Sequence, residues 1–169
     1  MRLAATVTVI TYRTPEDAPA GMTATAVCSL SLMPLSLLVC VNRETRTHDA
    51  IEATERFGVN VLTLGQEQIA EFCSRPGEQK ALPGDWLVDA PDARTPVLDR
   101  SLAHLDCRVS NAYRESTHSI FVGNVGAVWL GPPGEPLLYC NRSYRDFRSE
   151  AEAEAFESLW DRLGSWALS

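Results

Sequence analysis

The stretch from Met22 to Leu32, MTATAVCSLSL, predicts an extended segment that carries very little side-chain bulk. Small Thr, Ala and Ser side chains leave the N–H and C=O groups of a strand accessible, and those groups need hydrogen-bond partners. Such a strand suits a flat ligand that is held by peptide groups. It also suits tight packing against a bulky neighbour, and the residues alone leave both possibilities open. The segment ends at Pro34, which has no N–H to donate.

Further strand patterns flank this segment. Thr6 to Arg13 alternates β-branched residues and predicts an opening strand, while Thr14 to Gly21 has the Pro, Asp and Gly of a turn. Ser36 to Val41 is almost continuously apolar, as in a strand buried on both faces. Later strands are predicted at Phe57 to Leu64, Ala103 to Tyr113, His118 to Leu130 and Pro136 to Cys140, with a hairpin loop at Arg114 to Thr117. About seven strands and few helices predict a mainly β fold closed into a barrel, because closure removes exposed sheet edges.

Short helices are predicted at the periphery of this barrel. Thr47 to Arg56 has a good N-cap in Thr47 and an aspartate in the first turn, where the helix dipole favours negative charge. A second helix is predicted from about Gln66 to Cys73, and the proline-rich stretch Arg75 to Arg100 predicts a surface loop. Ser149, with a glutamate three residues later, forms a capping box that opens a final helix. The apolar face of that helix predicts a core or a dimer contact.

The composition indicates one acidic domain. The 169 residues are 45% hydrophobic and carry a formal charge of -7, with 15 Lys and Arg against 22 Asp and Glu. So acidic a chain, without a basic cluster, is a poor candidate for binding nucleic acid or an anionic membrane. No apolar run approaches the ~18 residues of a membrane span, and Leu3 to Ile10 lacks the cleavage site of a signal peptide.

The cysteines argue against a disulfide scaffold and against a structural zinc site. There are five of them, none paired as Cys-x-x-Cys: Cys28, Cys40, Cys73, Cys107 and Cys140. Four lie in apolar stretches, where a free thiol behaves as a small hydrophobe. They are expected to be reduced core residues of a cytoplasmic protein.

A candidate anion site lies between Val41 and Asp49, VNRETRTHD, where the chain leaves a buried strand and enters a helix. Free N–H groups at a helix start bind anions, most simply a phosphate. Hydroxyls and cations are available beside them from Thr45, Thr47, Arg43 and Arg46. A capped helix with solvated arginines explains the same residues, so the pattern alone does not decide.

Of the three histidines, His118 is the candidate for chemistry, because it opens an apolar strand and could orient a substrate or handle a proton near neutral pH. A structural role for it remains open. His104 lies in an alternating strand, and His48 in the first helical turn could at most touch the anion. The Gly-x-Gly-x-x-Gly, Walker and Gly-x-Ser-x-Gly motifs are absent from the sequence.

Taken in order, six segments resemble the short-chain flavin reductase family, whose fold is the FMN-binding split barrel. They are GMTATAVCSLSL (Gly21 to Leu32), LLVCVNRETRTHDAI (Leu37 to Ile51), FGVNVL (Phe57 to Leu62), LAHLDCRV (Leu102 to Val109), HSIFVGNV (His118 to Val125) and PLLYCNRSYRDF (Pro136 to Phe147). None is specific alone, but their order and spacing are. The resemblance implies a single domain over residues 1–169: a Greek-key-like split β-barrel of six to seven strands at about 6–147 with short peripheral helices, then a C-terminal helix at about 149–166.

The resemblance also implies a flavin site that binds FMN or FAD, with NADH or NADPH as hydride donor. His118 matches the family's histidine near the nicotinamide. The strand along the flavin ring corresponds to Thr23, Ala24, Thr25, Ala26, Val27 and Ser29. The stretch for the ribityl chain and phosphate corresponds to Asn42, Arg43, Thr47 and His48. Phe72 would border the ring, and a terminal group would approach the flavin or a neighbouring subunit: Arg142, Tyr144 and Arg145.

The implied activity is reduction of flavin by a homodimeric NAD(P)H:flavin oxidoreductase, which supplies reduced flavin to a partner monooxygenase. The chain departs from the family at Ser31 to Ser36, where the common pattern is Ser-Leu-Asp-Pro-Pro-Leu. It departs again at Ser116-Thr117-His118, where Gly-Asp-His is usual, and so lacks a carboxylate beside the histidine. Two alternatives stay open: a flavin-binding protein of this fold without free-flavin reductase activity, such as a tailoring oxidoreductase or binding module, and a barrel for another ligand.

Overall fold

The computed structural model describes residues 3–75, 81–90 and 92–146 of the chain. The strands in these ranges are β1 (Ala5–Thr6), β2 (Thr8–Arg13), β3 (Pro19–Ala24), β4 (Val27–Leu32), β5 (Leu35–Asn42), β6 (Arg56–Val61), β7 (Leu87–Val88), β8 (Val97–Leu98), β9 (Ala103–Glu115), β10 (His118–Leu130), β11 (Leu138–Cys140) and β12 (Ser143–Arg145). The α-helices are α1 (Arg46–Thr54) and α2 (Glu67–Ser74), and a 3-10 helix spans Gly84–Trp86.

The central feature is an antiparallel seven-stranded sheet with the strand order β3-β2-β6-β9-β10-β5-β4. β3 and β4 lie at opposite edges of this sheet, although only Thr25 and Ala26 separate them in the chain. Because three peptide units extend no more than about 11 Å, the two edges converge at this point. The chain itself, and not a continuous ladder, therefore closes the barrel. The predicted mainly β split barrel is confirmed.

The bend between β3 and β4 corrects the prediction of one extended segment from Met22 to Leu32. β3 also begins earlier than predicted, at Pro19, because the preceding turn is already closed by a hydrogen bond from the Thr14 N–H to the Ala18 C=O (2.9 Å). Small residues continue through the bend without a Gly or Pro at Thr25 and Ala26, so the sequence pattern carries no sign of it.

The barrel interior is filled by aliphatic and aromatic side chains. Its fully buried members include Ile10, Val39, Phe57 and Phe121 from four different strands. α1 adds Ile51 to the same cluster, which fixes this helix against the barrel. Burial of each such side chain contributes about 1.5–3 kcal/mol to the free energy of unfolding.

α1 begins two residues before the predicted position. Its N-cap is Thr45, and the prediction that Thr47 caps the helix is wrong. The Thr45 hydroxyl accepts the His48 N–H at 3.3 Å and donates to the Asn42 C=O at 2.7 Å. Both threonines have the right chemistry for a cap, but only Thr45 follows the turn at Asn42 in extended conformation. Asp49 lies in the first turn, as predicted.

A second core lies on the outer face of the sheet, beneath α2 and the segment that follows it. Ile69 and Ala70 of α2 pack there with Leu82 and Leu98. The prediction of a surface loop from Arg75 to Arg100 is therefore only partly right, since this segment buries apolar side chains and forms the short β7–β8 pair.

A buried polar cluster ties the same segment to the sheet; its members are Thr11, Asn60, Thr95, His104 and Asp106. His104 Nδ1 lies 3.0 Å from Asn60 Oδ1, and this oxygen also accepts the Leu98 N–H at 2.9 Å. The Thr95 hydroxyl donates to Asp106 at 2.6 Å. Burial lowers the pKa of His104 to about 4, against the opposing charge of Asp106, so the ring is neutral at pH 7 and donates through Nδ1.

The five cysteines form no disulfide among the described residues, but the prediction that they are core residues holds for only two of them. Cys73 and Cys107 are buried, and burial raises the pKa of each to about 12. Cys28 is exposed, and Cys40 and Cys140 are half-buried. The predicted C-terminal helix lies outside the described residues. Among the helices that the structure does describe, none is long and apolar enough to cross a membrane.

Candidate functional site

A cavity of about 750 Å³, called here the main cavity, lies on the β3 side of the barrel. Such a volume falls within the range of small-molecule sites in proteins. Its walls come from β3, the start of α1, the end of α2 and the small sheet β1-β11-β12. Its lining residues include Gly21, Thr23, Arg46, Thr47, Phe72 and Tyr144.

The start of α1 forms one end of the main cavity and is built to receive an anion. The backbone N–H groups of Arg46 and Thr47 have no hydrogen-bond partner among the described residues, as expected for the first turn of a helix. The Thr47 hydroxyl likewise lacks a partner within the described ranges. The positive end of the α1 dipole therefore faces the cavity, and the Arg46 side chain adds a cation.

The free edge of β3 forms a second wall. The bond from Thr14 to Ala18 sets the alternation of the β2–β3 ladder, so Gly21 and Thr23 fall at its non-hydrogen-bonded positions. Their N–H and C=O groups therefore point away from β2 and have no backbone partner in the described part of the chain. The Thr23 hydroxyl is turned towards α2, where it donates to the Ala70 C=O at 2.6 Å. The edge thus offers peptide donors and acceptors to a flat ligand.

Aromatic side chains complete the cavity opposite this edge. Phe72 packs edge-on against Trp86 with ring centroids 5.2 Å apart. Tyr139 and Tyr144 are cross-strand partners in the β11–β12 hairpin, with ring centroids 5.4 Å apart. Burial, with the nearby charge of Glu71, raises the pKa of Tyr144, so its hydroxyl stays neutral at pH 7. This wall suits the faces of planar rings.

The structure brings five of the predicted site residues to the main cavity: Thr23, Thr25, Thr47, Phe72 and Tyr144. Others of the predicted β3–β4 group lie close in the chain but do not line it. Ala24 is buried, Val27 packs against the interior cluster, and Ala26 and Ser29 are exposed.

The remaining predicted residues lie around the ends of α1, β10 and β12. Asn42 shapes the turn before α1, where its side chain accepts the Glu44 N–H at 3.0 Å. His118 is exposed at the start of β10, in register with Asn42, and its Nδ1 lies 2.9 Å from the Thr117 hydroxyl. It lines neither cavity described here. Arg142 and Arg145 are exposed in the β11–β12 hairpin.

A smaller cavity of about 460 Å³ lies between α1 and the β9–β10 turn. Arg43 lines this smaller cavity and not the main one, and its guanidinium donates to the Ser116 C=O at 3.3 Å. Arg114 donates to Glu52 at 2.9 Å, and this hydrogen bond lowers the pKa of the Glu52 carboxyl. His48 is buried at its wall.

Sequence reasoning missed Tyr139 and Gly21 as cavity residues. The sequence offers one sign of a turn after Tyr139, the turn-favouring residue Asn141. In the structure Asn141 and Arg142 both have positive φ (51° and 65°), as in the tight turn of a hairpin. Recognising that hairpin places Tyr139 opposite Tyr144. Gly21 precedes the predicted segment, and only the ladder register shows that its peptide groups face outward.

The fold is a split barrel, and the walls of its main cavity have the donors and the open strand edge that suit a flat ligand with an anionic tail. The family model described as "Flavin reductase like domain" matches residues 1–148. The chain therefore belongs to this family.

Individual relatives agree with this assignment. The chain is 38% identical over 148 residues to the reductase component of the FADH(2)-dependent resorcinol hydroxylase of Rhizobium sp. strain MTP-10005, covering 85% of this chain and 80% of that protein. It is 36% identical over 153 residues to an FMN reductase (NADH) of Pseudomonas syringae, covering 89% and 84%. A solved structure of the NADH:FAD oxidoreductase of Streptomyces globisporus C-1027, in complex with NAD and FAD fragments, superposes with a TM-score of 0.78 at 30% identity and covers 89% of each chain.

Proposed function

We propose that this protein is an NADH-dependent flavin reductase that transfers hydride from the nicotinamide to FMN or FAD. The observation that carries the proposal is the main cavity, where a helix start and a strand edge both have N–H groups without a partner among the described residues. The first suits a phosphate and the second a planar heterocycle with donors and acceptors on its rim. Two of the relatives named above are an FMN reductase (NADH) and an NADH:FAD oxidoreductase.

The residues of the chain mainly bind and orient. The N–H groups of Arg46 and Thr47, with the Thr47 hydroxyl, would hold the flavin phosphate at the positive end of α1. The peptide groups of Gly21 and Thr23 would fix the polar rim of the ring system, and Phe72 would exclude water from one face. When bound, the flavin supplies the ring nitrogen that accepts the hydride, so the protein contributes alignment and fixed dipoles.

His118 is proposed to orient the nicotinamide, although it lines neither cavity. Its exposed position at the start of β10 leaves the ring accessible to a second ligand that lies beside the flavin. Thr117 stands directly before His118, where the common family pattern has an aspartate. Its hydroxyl lies against His118 Nδ1 in place of that carboxylate. A hydroxyl held against Nδ1 fixes the direction of the ring, which suits a role in orientation.

The direct test follows absorbance at the nicotinamide band after the purified protein is mixed with each pair of NADH or NADPH and FMN or FAD. Oxidation of NADH with at least one flavin is expected. No turnover with any of the four pairs would refute the proposal. Retention of a yellow cofactor without oxidation of the nicotinamide would instead favour the flavin-binding alternative, in which His118 remains outside the working site.

The reduced flavin is proposed to leave for a partner monooxygenase. The supporting comparison is the relative that is the reductase component of a hydroxylase. In a coupled assay, the protein with NADH and flavin should support hydroxylation by a flavin-dependent monooxygenase that has no reductase of its own. A cytoplasmic location is proposed with this role, since NADH is an intracellular reductant and no disulfide joins the cysteines in the described part of the chain.

A homodimer is proposed through the surface at the β4–β5 turn and the end of β10. Three apolar side chains at the β4–β5 turn and the end of β10 are almost fully exposed: Leu32 (82%), Met33 (92%) and Leu130 (81%). β4 is also an open sheet edge, and exposed apolar edges mark contact surfaces in soluble proteins. Light scattering after size-exclusion chromatography should give twice the 18.6 kDa mass of the chain. Met33→Asp should shift the protein towards monomer, whereas Asp92→Asn, in the segment after β7, should not.

A further inference from the structure

His48 makes a buried hydrogen-bonding contact that the proposed chemistry does not use. It lies in the first turn of α1, its side chain is 5% exposed, and its Nε2 lies 2.8 Å from the Ser119 hydroxyl. Ser119 is 1% exposed, and the imidazole also packs against Phe121 with ring centroids 5.3 Å apart. Because both polar groups are buried, loss of either leaves the other without a partner. The contact therefore fixes α1 to β10.

The surroundings of the imidazole decide which nitrogen carries the proton. His48 Nδ1 is buried and has no hydrogen-bond partner within the described ranges, and Asp49 Oδ1 lies 3.7 Å from it. A lone pair on Nδ1 would face this carboxylate, whereas a proton there is attracted by it. Glu52 lies 3.7 Å from Nε2, but the guanidinium of Arg114, 2.9 Å from the same oxygen, compensates its charge. The proton therefore belongs on Nδ1, and Nε2 accepts the Ser119 hydroxyl.

The chain neighbours of the two partners give this contact a role. Thr47, which precedes His48, carries the N–H and hydroxyl of the proposed phosphate site. His118, which precedes Ser119, is exposed, and its side chain is held by the contact with Thr117. One buried hydrogen bond thus joins a residue beside the phosphate site to a residue beside the proposed nicotinamide site.

We propose that His48 is a positioning residue for hydride transfer: through Ser119 it sets the start of β10, and with it His118, relative to the helix start that holds the flavin phosphate. This inference rests on the proposed function and deepens it. Small displacements of an orienting group lower reaction rates strongly, so the effect belongs to the hydride-transfer step and not to flavin affinity alone.

The test measures the rate of hydride transfer from NADH to bound flavin by stopped flow at saturating flavin, in a double-mutant cycle. Ser119→Ala is expected to slow this step roughly tenfold in the parent protein. In a His118→Ala background it should have no further effect, because the group that it positions is gone. Ser110→Ala is the matched control, since its exposed hydroxyl donates to the Val122 C=O on the adjacent strand. It should leave the rate unchanged in both backgrounds.

An unchanged rate in Ser119→Ala overturns the proposal, and so does an equal loss in both backgrounds, which a merely structural role predicts. Absence of turnover in the parent protein refutes the proposed function instead. Should Ser119→Ala not fold, His48→Phe keeps the packing against Phe121 without the acceptor, and His48→Gln keeps a polar group in reach. The Phe variant should be slow and the Gln variant close to the parent; equal rates for the two overturn the proposal.

A measurement without turnover tests the hydrogen bond itself. Long-range ¹H–¹⁵N spectra of the imidazole should show a protonated Nδ1 and a bare Nε2 for His48 at neutral pH. Ser119→Ala should shift the Nε2 resonance, because it removes the donor. A protonated Nε2 with a bare Nδ1 contradicts the assigned donor and overturns this basis of the positioning role.

Discussion

Gly58 in β6 faces the buried polar cluster, so a substitution at Gly58 tests how tightly that cluster is packed against the sheet. A Cβ atom placed on Gly58 would lie 2.5 Å from each of three atoms: His104 Cε1, Thr11 Oγ1 and Thr95 Oγ1. Neither hydroxyl moves freely, since Thr11 donates to the Pro96 C=O at 2.7 Å and Thr95 donates within the cluster. Gly58→Ala must therefore displace hydrogen-bonded groups.

The expected cost follows from two contributions. Overpacking a well-filled interior costs about 1–3 kcal/mol, and a buried polar group left without its partner costs about 1–3 kcal/mol more for each bond broken. With one bond broken, Gly58→Ala should lower the free energy of unfolding by about 2–6 kcal/mol. For a chain of this size the melting temperature should fall by roughly 4–24 °C.

The assay is urea unfolding followed by tryptophan fluorescence, with Gly84→Ala as the matched control. Gly84 opens the 3-10 helix and has no atom within 4 Å of an added Cβ, so its replacement should stay within about 0.5 kcal/mol of the parent. Equal free energies of unfolding for the two variants would refute the reasoning, because the polar cluster would then have room that the distances deny.

Three further predictions concern the site and the pH dependence of stability. Thr47→Ala should weaken flavin binding by about 1.5–3 kcal/mol on titration, through a lost hydrogen bond to phosphate; because Thr47 is not the cap and its hydroxyl has no partner among the described residues, the melting temperature should match that of the parent protein. Arg46→Ala should raise the flavin dissociation constant roughly fivefold, and more than Arg43→Ala does, since only Arg46 lines the main cavity; equal effects would place the phosphate elsewhere. The pKa of His104 is lowered from 6.5 to about 4 in the folded protein, so on acidification the unfolded chain takes up a proton first. The free energy of unfolding should therefore fall by up to about 3 kcal/mol as the pH drops from 6.5 towards 4. His104→Gln should make the free energy of unfolding less dependent on pH between 6.5 and 5.

The strands are largely predictable because each shows its own local pattern. β10 has the predicted bounds, His118–Leu130, since a turn precedes it and a glycine follows it. β5 extends the predicted Ser36 to Val41 by one residue at each end, as expected for a continuous apolar run. The bend at Thr25 leaves no such mark, because its residues have the same small side chains as the strands on either side.

The site is predictable only as far as local capping chemistry is. Arg43 and Arg46 are three residues apart, and which of them faces the main cavity depends on the residue at which α1 begins. With a cap at Thr47, Arg43 and Arg46 would both precede the helix. The observed cap at Thr45 instead places Arg46 in the first turn. The polar cluster cannot be predicted from local patterns, since it joins residues as far apart in the chain as 11 and 106.

The open edge of β3 has a consequence beyond ligand binding. Unpaired amides along a strand are a template for a strand from any other molecule, and this is how many β proteins begin to aggregate. Pro19 protects only the start of this edge, and Gly21 and Thr23 carry no charge that would prevent such an approach. A tightly bound flavin would occupy the same amides and would therefore also prevent pairing with a strand of another molecule. Solutions kept free of flavin should accordingly turn turbid sooner on storage.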